Sequence, residues 1–119
     1  MFRGWFSRQR RNEQTTSIDD LRNAAVAAWI KTFPEDSRLE RFLEPMSPAV
    51  QADLRASARA IYECAGEFLE ANVGIDRIDL ESFNPALRSH LTKRFPWAKE
   101  PALRALQSYT NWYAWHEGY

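Results

Sequence analysis

One cysteine, Cys64, and two histidines, His90 and His116, are the residues from which nucleophilic or metal chemistry would have to be built. A thiol becomes a nucleophile when a cation or a helix N-terminus beside it lowers its pKa. No His, Lys or Arg stands three or four residues from Cys64, so the sequence predicts a small buried hydrophobe. Structural and catalytic metals need several His, Cys or carboxylate ligands at fixed spacing, as in H-E-x-x-H or C-x-x-C. "HEGY" at 116–119 fits neither pattern, and His90 has no Asp or Cys partner close in sequence. His116 is expected on the buried arc of the last helix and His90 on a helix surface. G-x-S-x-G and glycine-rich phosphate loops are absent. The chain therefore reads as non-catalytic, with no metal or cofactor expected; a small enzyme of unrecognised type is a second alternative.

Three sets of side chains point instead to recognition. Glu63, Glu67 and Glu70, with Asp53 on the same side, form an acidic stripe at helical spacing. Such charges ordinarily keep a helix face solvated, but a stripe of one sign also steers a basic partner toward it. Arg104, Gln107, Ser108 and Asn111 share a second helical face, and their types read base edges in DNA. Trp115 stands among these polar residues, where an exposed aromatic side chain is a typical partner anchor. The competing reading is that the N-terminal arm, or the tail through Tyr119, folds over Trp115.

These side chains must be carried by elements that the apolar pattern and the prolines mark out. Residues 1–16, with Arg3, Arg8, Arg10 and Arg11 against Glu13 alone, read as a basic aromatic arm, and residues 17–119 as one helical domain. Phe2, Trp5 and Phe6 would let the arm rest on a membrane surface, but a second anchoring signal is missing. A helix is predicted from Ser17, an N-cap, to Pro34, with Ile18, Leu21, Ala25, Ala28, Trp29 and Phe33 on its buried face. A short helix follows over 35–44. The clearest element runs over 48–73, with Ser47 as N-cap, Pro48 in the first turn, and Val50, Leu54, Ala58, Ile61, Ala65, Phe68 and Leu69 along one stripe. The stretch 75–83 reads as a loop, after which Asn84 caps a helix that ends at Pro96. The last helix runs from Pro101 to about His116 and closes at Gly118.

The expected fold is therefore all-α, a bundle of about five helices without a sheet, in which the long helix packs on those near 18–32 and 101–116. At 119 residues and 45% hydrophobic, the chain suffices for one core without disulfides. The lone cysteine fits a reducing compartment, and the cytoplasm is expected. A formal net charge of zero gives no long-range field toward nucleic acid. The functional expectation is a protein-binding module, of the inhibitor or immunity/antitoxin kind, using Trp115, Arg104, Asn111, Glu63, Glu67 and Glu70. Its partner would be another protein, of basic character if the acidic stripe is the contact, or a second copy of itself. A DNA-binding regulator using the helix 101–116 is the alternative. Against it stand the long, proline-containing connection 95–100 and Glu100, whose charge repels phosphate at that helix start.

Overall fold

The computed structural model describes residues 17–31, 33–74 and 77–118. The expectation for the arm 1–16 lies outside them. The described residues form five helices: α1 (Ile18–Trp29), α2 (Asp36–Leu43), α3 (Pro48–Asn72), α4 (Leu80–Arg94) and α5 (Ala102–His116). The protein is an all-α bundle, with no strand among the described residues beyond an isolated bridge between Ile30 and Pro34. The long α3 packs against each of the other four helices, and α1 also meets α2 and α5.

The capping chemistry explains several boundaries. Ser17 Oγ accepts from the Asp20 N–H, and Ser47 Oγ accepts from the Val50 N–H behind Pro48 at the first helical position. Helix α1 stops at Trp29, several residues before Pro34, because Ile30 turns extended. The Arg38 guanidinium donates to the carbonyls of Ala28 and Trp29 freed at this end, and to Phe33 O in the connection that follows. Phe33 thereby leaves the buried face it was expected to join: it is exposed, its ring 5.9 Å from that of Trp112.

A larger correction concerns α4. The helix begins at Leu80, so Asn84 and Pro85 lie inside it rather than at its start. The N-cap is Asp79, whose carboxylate accepts from the Glu81 N–H and from Ser82 Oγ–H. Phe83 is buried and meets Phe68 of α3 at 5.6 Å between ring centroids, which draws the preceding turn onto the bundle. Pro85 removes one backbone donor, but its partner would be the carbonyl of Glu81, an exposed residue that water can reach.

The core is continuous. Leu54, Ile61 and Leu69 from α3, Val26 and Trp29 from α1, Leu39 and Leu43 from α2, Leu87 and Leu91 from α4, and Leu106 from α5 are all essentially buried. Asn23 is buried among them and is fully used: Nδ2 donates to Asp19 O (2.9 Å) and Trp97 O (2.8 Å), while Oδ1 accepts from the Lys99 N–H at 2.7 Å. One amide thus fastens the α4–α5 connection to α1. No helix among the described residues is long and apolar enough to cross a membrane.

Candidate partner-binding surfaces

The register of the antiparallel α4–α5 pair places the first surface. Arg88 Nε donates to Gln107 Oε1 at 2.7 Å, which ties the middle of one helix to the middle of the other. Two further turns along, the start of α4 and the end of α5 come level, and Leu80 and Trp115 line one cleft with Arg77, Ile78, Asn111, Ala114 and Gly118. Trp115 is 79% exposed and Leu80 39%. Of the three exposed large hydrophobic residues among the described residues, two therefore meet at this cleft. Arg77 and Ile78 also line a neighbouring hollow with Asn72, Gly74, Asp79, Ser82, Phe83 and Ala86, so the two openings adjoin.

Asn111 does not face solvent as expected. It is half-buried, and its Oδ1 is enclosed without a hydrogen-bond partner; the same holds for Asn84 Oδ1 on α4. Gln107 is half-buried as well and engaged by Arg88. Of the four residues with base-reading side chains, only Arg104 and Ser108 remain exposed. Arg104 stands beside Glu100 at 3.7 Å. Glu100 also pairs with Arg88, and that hydrogen bond, above all else, holds its carboxyl below the ordinary glutamate range.

The acidic stripe forms a separate surface. Glu63, Glu67 and Glu70 are exposed and line a groove with Tyr62, Tyr109 and Tyr113. The two phenols of Tyr62 and Tyr109 lie 3.0 Å apart, and burial followed by this contact pushes the Tyr109 pKa well above its ordinary value. Asp53 is not part of that stripe. Its carboxylate is gripped by Arg22 of α1 through Nε (2.9 Å) and Nη2 (2.8 Å), and also accepts from Ser57 Oγ–H. The wheel could not show this, because Arg22 arrives from another helix. The stripe and the Trp115 cleft share no lining residue.

Cys64 is buried as expected, and burial raises its thiol pKa, with Arg94 opposing. The two histidines exchange the expected settings. His90 is half-buried and stacks on Phe68 at 4.5 Å, whereas His116 is exposed and stacks on Trp112 at 4.9 Å. The buried residues of α5 stop at Ala114, so the last turn runs past the core. Among the described residues no three His, Cys, Asp or Glu side chains converge in a way that would hold a metal.

The fold is an all-α bundle, and among the openings on its described surface two share no lining residue, one around Trp115 and Leu80 and one acidic and tyrosine-lined. The chain matches no family model, and no curated protein or solved structure matches it.

Proposed function

We propose that this chain is a non-catalytic protein-recognition module whose partner docks at the cleft between the start of α4 and the end of α5, with Trp115 as the anchor. The observation that carries this reading is the convergence of Trp115 and Leu80, from different helices, on one cleft. A tryptophan side chain exposed to this degree offers about 3–5 kcal/mol of gross apolar burial to whatever covers it, before the costs of association. Its fold needs none of that burial, since α5 is already held by Leu103, Leu106, Tyr109 and Ala114. Acting by occupation of another protein, as inhibitors, antitoxins and immunity proteins do, is the form of recognition we propose. The free Cys64 supports the cytoplasm as its location.

A second reading is favoured by the other groove. Glu63, Glu67 and Glu70 form no ion pair among the described residues, and three carboxylates beside three tyrosine rings suit a basic segment. Affinity capture from native lysate, run with wild type, Trp115→Ala and the double variant Glu63→Lys/Glu67→Lys, separates the two. A protein held by wild type and by the charge-reversed variant, but lost by Trp115→Ala, supports the cleft. Loss in the charge-reversed variant alone would move the contact to the acidic groove.

A further inference from the structure

The chemistry of the cleft goes further and specifies what kind of segment it accepts; this step rests on the reading of the cleft as the docking site. The space bounded by Leu80, Asn111 and Trp115 amounts to about 180 Å³. Small-molecule sites run to about 300–1,000 Å³, so the Trp115 end by itself has room for one large side chain. The adjoining hollow across Arg77 and Ile78 is about 430 Å³, and it gives a chain that enters the cleft somewhere to continue. Among the described residues, two side chains of ionised character line this track, Arg77 and Asp79. The Asp79 carboxylate is occupied at the helix start by the Glu81 N–H and Ser82 Oγ–H. Arg77, at the junction of the two openings, forms no hydrogen bond or ion pair among the described residues. Glu81 and Glu117 stand outside both linings. Asn111 also lines the cleft, but its Oδ1 is enclosed and out of reach of an incoming segment.

We propose that the occupant is an extended segment of a partner protein carrying a large aliphatic or aromatic side chain with a carboxylate one or two residues away. The apolar side chain fills the cleft against Trp115 and Leu80, and the carboxylate forms a charge-assisted pair with the Arg77 guanidinium. Each feature of the segment answers one feature of the site: an apolar floor of Trp115 and Leu80, and a guanidinium with no ion-pair partner among the described residues.

The test is selection from a linear random-peptide phage library on the full chain, with synthetic peptides from the winners measured against wild type, Trp115→Ala and Arg77→Glu. The expected result is convergence on Leu, Ile, Phe or Trp next to Asp or Glu. The synthetic peptides should then bind at least about thirtyfold more weakly to Trp115→Ala and at least about tenfold more weakly to Arg77→Glu, the latter loss shrinking in high salt. Convergence on apolar peptides without an acid, or binding that Arg77→Glu leaves unchanged, would overturn the proposed chemistry while the cleft itself stands. Enrichment no different between wild type and Trp115→Ala, or a failure to enrich, would overturn both. Sedimentation is run in parallel: a dimer of wild type that dissociates in Trp115→Ala would assign the cleft to a second copy and overturn the peptide proposal.

Discussion

Leu80 and Trp115 stand level at the open end of the α4–α5 pair and line the same cleft, in a register fixed by the Arg88–Gln107 hydrogen bond. Stepping one turn from that bond in each helix reaches Asn84 and Asn111, both with an enclosed, unpartnered Oδ1, and one turn more reaches the apolar pair. The seam thus passes from salt-bridged and satisfied, through polar and unsatisfied, to apolar and exposed. Under the proposed function, a seam graded in this way serves a further contact rather than the stability of the chain itself.

If so, removing the exposed ring should leave folding intact. Trp115→Ala is expected to change unfolding free energy by no more than about 0.5 kcal/mol, whereas Leu106→Ala, at a fully buried position of the same helix, should cost about 2–5 kcal/mol. Urea denaturation followed by circular dichroism compares them. Equal losses would show that Trp115 supports the fold.

The buried amide of Asn23 makes a sharper forecast. Asn23→Ala strands the Trp97 carbonyl and the Lys99 N–H along with Asp19 O, and should destabilise the protein by about 2–4 kcal/mol. Asn23→Asp retains the acceptor for Lys99 but has no donor for the two carbonyls, so it should rescue little. Full recovery by the aspartate in chemical denaturation at neutral pH would sink this account.

Arg38 is expected to act through the planar fork of its guanidinium. It reaches two carbonyls at the end of α1 and that of Phe33 beyond it, and also pairs with Glu35, which a single ammonium group cannot reproduce. Arg38→Ala should cost about 1–3 kcal/mol, and Arg38→Lys should regain less than half of it. Thermal unfolding of the two variants side by side measures the difference.

Acid should weaken the Arg22–Asp53 clamp. The hydrogen bond from Arg22 lowers the Asp53 pKa below its ordinary value, so the folded state binds this proton less readily than the unfolded chain. The contribution is present above the unfolded aspartate pKa of about 4 and fades as pH falls from there through the folded value. The pair is partly solvated, at 22% and 33% side-chain exposure, so its worth is about 1 kcal/mol or less. Asp53→Asn should therefore lose that much at pH 7 and show a flatter decline in stability below about pH 4. An acid limb as steep as that of wild type would assign the decline to other groups.

Much of this architecture was legible along the chain. Ser17, Ser47 and Pro48 announce helix starts because capping is a local transaction between a side chain and N–H groups within three residues. The stripe from Leu54 to Leu69 is buried as its period required, and Cys64, at the margin of that stripe, is buried with it, which raises its thiol pKa. The exposure of Trp115 follows from its polar neighbours on the wheel. A periodic pattern is sufficient wherever the neighbours that decide a residue's environment are its own helical neighbours.

It fails where the deciding neighbour comes from elsewhere. Asn84-Pro85 resembles a helix start, yet Asp79 caps the turn before it and Phe83 must reach Phe68 on α3, so the helix begins earlier. Asp53 looks like one more solvated acid until Arg22 arrives from α1, and Asn111 looks like surface until the fold encloses its Oδ1. His116 falls on the apolar arc of a wheel that assumes a core beside every turn, but the core ends at Ala114. The sequence by itself determined the helices, their buried stripes and the exposed tryptophan, because those depend on contacts a few residues apart. Only the tertiary structure decided that Leu80 joins Trp115, that Arg77 lies at their edge, and that the acidic stripe is a separate groove, because such juxtapositions depend on which helices pack and in what register.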